Sequence, residues 1–334
     1  MRLGDDENPV ATIPEAKAAL AALIADRDRE KVKARPRSPR FTDYVKEYLA
    51  RAAGTKRRSS IAHERTKLNA WAAHFADKRL RDIRKRDILA FREKLLRDGY
   101  SPNTVNKYQF ALNNLFKLAI ADELLDETPA RNVANLKFET KRRQLLTAEQ
   151  IDAVCKSARE NSKNGELFAD YVRLLAYSGA RRNEALALRW ADVDFTEGQL
   201  HIGSEGDTKN REPRTLDMPK ALSIHLRDMK KRSQPDSAFL FPSPQRGKAA
   251  KTFRETLAIA RRESGVNLNF HDCRHFFISK AVMAGVDFMT IAKWVGHKDG
   301  GILIGKVYGH LADDHRKRMA DKLTFDDADT APAA

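Results

Sequence analysis

The chain has 334 residues, of which 42% are hydrophobic, enough for two domains with cores of their own, so composition excludes a disordered protein. Lys and Arg number 62 against 46 Asp and Glu, a net charge of +16 with an isoelectric point near 9.8, which favours a polyanionic partner. Two cysteines exclude a disulfide framework, no window approaches the roughly 20 apolar residues that span a bilayer, and the N-terminus lacks a basic start followed by an apolar core; a cytoplasmic protein without a membrane partner is expected.

Residues 1–13 are polar without a clear period, and Pro14 then opens an alanine-rich helix running to about Val32, since proline suits a first helical turn. Lys33-Ala34-Arg35-Pro36-Arg37-Ser38-Pro39-Arg40 reads as an extended basic linker, either a solvated tether or a contact for phosphates. Residues 41–135 form an all-helical domain. Phe41, Tyr44, Val45, Tyr48 and Leu49 share one helical face, and the same spacing recurs at Leu68, Trp71, Ala72 and Phe75, at Ile88, Phe91, Leu95 and Leu96, and at Val105, Tyr108, Leu112, Leu115, Phe116 and Ala119. The last of these helices starts cleanly, with Ser101 as cap and Pro102 in the first turn. Between its apolar positions stand Asn103, Asn106 and Lys107, which suit phosphates or base edges in a major groove; ordinary solvent exposure accounts for them nearly as well.

Residues 136–146, with Lys141-Arg142-Arg143, read as the interdomain linker. A helix starts at Thr147, whose hydroxyl can cap it while Gln150 reaches back, and a second runs through Tyr171 and Leu175 to stop at Gly179. Val193 to Phe195, Gln199 to Ile202 and Pro213 to Met218 alternate in polarity and read as a three-stranded antiparallel sheet. Helices follow at about Lys220 to Lys231, Lys251 to Glu263, His271 to Ala284 and Met289 to Val295, with a charged helix from Asp313 to Leu323 and a disordered tail at 326–334. The fold class is therefore mostly α (α+β): a helical domain, then a domain of helices with one small sheet over 147–325.

Five short stretches carry chemistry: Ser178-Gly179-Ala180-Arg181-Arg182-Asn183-Glu184, Thr208-Lys209-Asn210, Asn269-Phe270-His271-Asp272-Cys273-Arg274-His275, Trp294-Val295-Gly296-His297, and Lys306-Val307-Tyr308-Gly309-His310. A metal-free reaction at a phosphodiester of a polyanionic partner would need a nucleophile, compensation for charge growing on the phosphate oxygens, and a proton for the leaving oxygen. Arg181 and Arg274 can each present a two-pronged guanidinium to non-bridging oxygens. Taken alone, Arg181 reads as a surface arginine paired with Glu184, and Lys220 or Arg211 competes with Lys209 as general acid. His271 and Arg274 stand three apart on one helical face, so His271 can take the tyrosine proton or donate to phosphate, with His275 on the adjoining edge as a supporting partner. His271, Cys273, His275 and His297 raise a zinc reading, but Cys273 points off the His271 face and no Cys-x-x-Cys occurs, so no metal is expected.

In that order, Arg181, Lys209, His271-x-x-Arg274, His297 and Tyr308 resemble the active-site set of the tyrosine recombinase (phage integrase) family, a resemblance covering roughly residues 40–325. It implies a core DNA-binding domain over 41–135 and a catalytic domain over 147–325, with residues 1–40 as a remnant of an arm-binding segment whose strands are missing or shortened. It implies Tyr308 as nucleophile, Glu184 orienting Arg181, no cofactor, and a 3′-phosphotyrosyl intermediate. The expected partners are double-stranded DNA recombination sites, three further copies of this chain in a tetramer on DNA, and accessory DNA-bending proteins, at the nucleoid of a bacterium. The His297 to Tyr308 separation is longer than usual in the family, and its glycines would give the tyrosine freedom to swing. A type IB topoisomerase, or a DNA-binding regulator with vestigial catalytic residues, are the alternatives.

Overall fold

A computed structural model describes residues 4–5, 8–9, 12–34, 38–139, 145–203, 213–234, 236–243 and 247–309. Lys209, the basic end of the linker at 141–143, the Asp313 to Leu323 helix and the 326–334 tail lie outside the described residues. The chain divides into two compact units, Met1–Lys141 and Arg142–Ala334.

The first unit opens with a short antiparallel pair, β1 (Gly4–Asp5) and β2 (Asn8–Pro9), ahead of α1 (Ile13–Ala34). The polar sequence hides this pair because two-residue strands carry no alternation to read. Thr12 and Glu15 cap α1 reciprocally, the Thr12 N–H donating to Glu15 Oε2 at 2.9 Å. Helices α2 (Phe41–Ala53), α3 (Arg58–Phe75), α4 (Lys85–Arg97) and α5 (Pro102–Ala121) then pack their apolar faces into one core. Trp71 is its centre: its ring lies 4.3 Å from Phe91 and 5.2 Å from Phe75, and its indole N–H donates to the Tyr108 carbonyl at 2.9 Å. Burying such a side chain stabilises by about 2–3 kcal/mol, and the satisfied indole avoids a desolvation cost. Leu96, expected on the α4 core stripe, is 39% exposed because its neighbour Leu95 takes the inward position.

The second unit is built around α7 (Gly165–Ser178), whose residues from Phe168 to Ser178 are buried apart from Arg173 and Tyr177. Against it lie α6 (Ala148–Asn161), α9 (Lys220–Arg232) and α11 (Phe270–Met283). Thr147 and Gln150 do cap α6, with bonds of 3.2 and 3.0 Å. The remaining elements are α8 (Arg182–Ala187), the sheet β3 (Val193–Asp194), β4 (Gln199–Ile202) and β5 (Arg214–Asp217), then α10 (Arg254–Ser264), α12 (Phe288–Val295) and α13 (Ile302–Tyr308). The strands run antiparallel in the order β3-β4-β5, with Leu200 opposite Leu216 on the buried face. Among the described residues no helix is long and apolar enough to cross a membrane.

Candidate active site

Helix α7 stops at Gly179, which takes the left-handed conformation at φ +63°. A Cβ there would sit 2.5 Å from Phe277 Cδ1, so both the backbone sign and the packing demand glycine. The sharp stop sets Arg181 at the cap of α8. Its N–H donates to Glu184 Oε2 at 3.0 Å, its Nη1 to Glu184 Oε1 at 2.9 Å, and its Nη2 to the Gly296 carbonyl at 3.1 Å. Glu184 is buried and also accepts from Arg214 Nη2 at 2.6 Å. Burial alone would raise its carboxyl; the hydrogen bond and charge of Arg214, then the backbone and side-chain hydrogen bonds of Arg181, outweigh it and hold the group at about 2.

Helix α11 begins where the Asn269 N–H donates to Asp272 Oδ2 at 2.8 Å. This start puts His271 in its exposed first turn and turns Arg274 inward, where it is 2% exposed. Arg274 is clamped by two backbone carbonyls, Nη1 donating to Gly179 and Nη2 to Val295, both at 2.7 Å. Burial, reinforced by the charges of Arg181 and Arg214, lowers its guanidinium to about 9, still protonated at neutral pH. His275 lies one helical turn beyond His271, their rings 4.7 Å apart and edge to face. His275 Nδ1 meets the Tyr308 hydroxyl. His275 therefore contacts the tyrosine directly, because the i+4 position carries it a turn beyond His271 along α11 towards the buried end of α13.

Helix α12 ends at Gly296, with φ +70°, and the His297 N–H turns back to the Ala292 carbonyl at 2.9 Å. His297 is half-buried; burial, then the Arg274 charge, lower its pKa from the ordinary value, which keeps the ring neutral. Its Nδ1 is buried without a hydrogen-bond partner among the described residues. The glycine-bearing stretch before Tyr308 builds a turn and a short helix. Asp299 accepts from the Gly301 and Leu303 N–H groups at 3.2 and 2.8 Å, and a Cβ on Gly301 would lie 2.6 Å from the Phe288 carbonyl oxygen. Tyr308 ends α13 at 4% exposure.

The second unit thus brings together Arg181, Glu184, Arg274, His297 and the Tyr308–His275–His271 series. One member was not singled out by the sequence: Arg214, which bonds Glu184 and the Trp294 carbonyl. Strand parity could have found it, since Arg214 shares the face of buried Leu216. Cys273 is fully buried in the core, and among the described residues no group of three or more His, Cys, Asp or Glu is arranged to hold a metal.

In the first unit, α5 divides its polar residues between two tasks. Asn106 spends both ends of its amide on Leu136, Nδ2 donating to the carbonyl at 2.9 Å and Oδ1 accepting from the N–H at 2.8 Å, so it pins the chain after the helix. Asn103 and Lys107 are exposed, and so is Phe110, at 64%.

The phage integrase family model matches residues 144–315, and the model of the phage integrase N-terminal domain matches 39–137. The chain is 24% identical to the ICEBs1 integrase of Bacillus subtilis, over 94% of this chain and 91% of that one. It is 26% identical to the tyrosine recombinase XerA of Pyrococcus furiosus, over 72% and 81%. Among solved structures, lambda integrase, as a tetramer bound to a Holliday junction, superposes with a TM-score of 0.68 at 16% identity over 91% of this chain and 90% of that one. The Tn1549 transposon integrase, in complex with transposon right end DNA, gives 0.68 at 16% identity, over 85% and 99%. With the integrase model alone matching half of its length, the chain belongs to the phage integrase family and is a tyrosine-type site-specific DNA recombinase.

Proposed function

We propose that this integrase cuts and rejoins duplex DNA at the ends of a mobile element through a 3′-phosphotyrosyl intermediate, with Tyr308 as the nucleophile. The scissile phosphate lies against Arg181 and Arg274, whose guanidinium groups are already oriented by backbone carbonyls and Glu184, so little reorganisation accompanies the growth of charge on the non-bridging oxygens. The Tyr308 phenol proton passes to His275, with His271 packed behind it, and the phenolate oxygen bonds to phosphorus. The P–O5′ bond breaks, its oxygen takes a proton from Lys209, and a 5′ hydroxyl is released to attack the partner strand. The reaction needs no nucleotide triphosphate because the phosphotyrosyl link retains the bond energy.

The observation that carries this reading is the Tyr308 hydroxyl held against a histidine in the unit that fixes Arg181 and the buried Arg274 and buries an unpartnered His297 Nδ1. A buried polar atom left unpaired costs about 1–3 kcal/mol, a cost recovered when a phosphate oxygen fills the site. The two domains are residues 41–135, which contact the duplex through Asn103 and Lys107 of α5, and 147–325, which carry the chemistry. By analogy with the tetrameric lambda integrase complex, four copies act on two DNA sites, with accessory DNA-bending proteins, at the bacterial nucleoid.

The test is a nicked substrate carrying the element's own end sequence, incubated in EDTA with the protein and with Tyr308→Phe. A covalent protein–DNA band that Tyr308→Phe abolishes is the expected result. Binding without any band from the native protein refutes the catalytic reading and leaves a regulator. A band accompanied by plasmid relaxation but never by junction formation refutes strand exchange.

A further inference from the structure

Arg214 stands first in β5 on the inward face, an unusual place for a charge. Its side chain is 9% exposed and committed at both ends: Nη2 donates to Glu184 Oε2 at 2.6 Å, and Nε donates to the Trp294 carbonyl at 2.8 Å. The Val295 carbonyl accepts from Arg274, and the Gly296 carbonyl from Arg181. Three successive carbonyls at the end of α12 therefore each hold a different arginine, delivered by β5, α11 and the start of α8. The negative end of the helix dipole and the Glu184 carboxylate together offset the mutual repulsion of three guanidinium groups.

Within this cluster the arginines differ in access. The Arg181 side chain is 27% exposed and retains surface for a ligand, whereas Arg214 lies behind it. A Cβ on Gly296 would be 3.1 Å from Arg214 Cδ, so Arg214 lies flush against the backbone that immediately precedes His297. Loss of Arg214 would leave Glu184 with one cation in place of two and release the turn between Trp294 and His297 from the sheet.

We propose that Arg214 is a positioning residue for DNA cleavage: it fixes the Glu184 carboxylate and the last turn of α12 in the arrangement that aims Arg181 and His297 at the scissile phosphate. The proposal rests on the reading of Arg181, Arg274 and Tyr308 as the cleaving set. A lysine at this position supplies the charge but not the planar fork that reaches a carboxylate and a carbonyl at once, so Arg214→Lys restores only part of the effect.

The experiment compares native protein, Arg214→Ala and Arg214→Lys in single-turnover covalent adduct formation, with DNA affinity measured separately by fluorescence anisotropy. Each cleavage is repeated on a substrate with a neutral methylphosphonate at the scissile position, where less charge accumulates and oriented arginines matter less. Arg214→Ala is expected to bind DNA within about threefold of native but to cleave the phosphodiester about 100-fold more slowly, the size expected for losing an oriented donor. On the methylphosphonate its defect should shrink to about tenfold or less, with Arg214→Lys intermediate on the phosphodiester. Cleavage by Arg214→Ala within about threefold of native overturns the proposal, and so does an equal loss on both substrates, which marks a residue that merely supports the fold. If Arg214→Ala does not fold, the two-substrate comparison on Arg214→Lys decides by the same criterion. A native protein that forms no Tyr308-dependent adduct overturns the catalytic reading and this proposal together, an outcome distinct from a fully active Arg214→Ala.

Discussion

Replacing Glu184 with Gln keeps the shape of the side chain and removes the carboxylate that Arg181 and Arg214 share. In the native protein this carboxyl is held at about 2, against an ordinary value of 4.5. At about 1.4 kcal/mol per pKa unit, the ionised form contributes about 3 kcal/mol at neutral pH. Breaking a buried ion pair by removing one partner costs about 3–5 kcal/mol by general experience, which agrees. The expected loss is therefore about 3 kcal/mol in the second unit, or roughly 10 °C in its Tm, since each kcal/mol moves a domain of this size by about 2–4 °C. Urea unfolding followed by tryptophan emission measures it, because Trp190 and Trp294 report on the second unit while Trp71 reports on the first and should not move. The sign with pH follows from the depressed carboxyl. Its contribution is complete above about pH 4.5, and is lost as the pH falls towards about 2, a component that Glu184→Gln should lack. A destabilisation below about 1 kcal/mol at pH 7 would refute the argument that Glu184 neutralises the arginine cluster.

Gly179→Ala should lower the stability of the second unit by about 1–3 kcal/mol in the same assay, through the positive φ and the clash with Phe277, and should slow cleavage because the Gly179 carbonyl clamps Arg274. Asn106→Ala leaves the Leu136 N–H and carbonyl without their partners and should destabilise the first unit by about 2 kcal/mol, whereas Lys107→Ala should leave stability unchanged but reduce the slope of log affinity against log salt by about 1. His297, whose pKa burial depresses, contributes stability that is complete above its ordinary value of 6.5 and lost as the pH falls below it. Calorimetry between pH 7.5 and 5.5 should show a falling Tm whose slope is flatter in His297→Gln, and an unchanged slope would contradict the neutral ring.

Much of this protein is written locally. The helices of both units follow from apolar residues at helical spacing and from caps such as Thr147 with Gln150 and Ser101 with Pro102, because these interactions span a single turn and need no tertiary partner. The strand Gln199–Ile202 and its pairing with Arg214–Asp217 are likewise visible as alternation. The candidate catalytic residues could be named because Arg181, His271, Arg274, His297 and Tyr308 each sit in a short recognisable stretch, and the order of those stretches resembles a known family.

What the sequence could not determine was which side chain meets which. His271 and His275 are chemically alike and one turn apart, and only the packing of α13 on α11 decides that Tyr308 meets His275. Asn106 was indistinguishable from its neighbours until the chain after α5 folded back and took both ends of its amide. Arg214 belongs to the cluster solely because β5 and α12 are adjacent in space, about 80 residues apart in the chain, where the end of α12 supplies carbonyls to arginines from three elements. Composition, helix periodicity, caps and motif order are properties of neighbours in sequence and were determined there; hydrogen-bond partners across 30 to 115 residues depend on backbone placement, which tertiary packing alone sets.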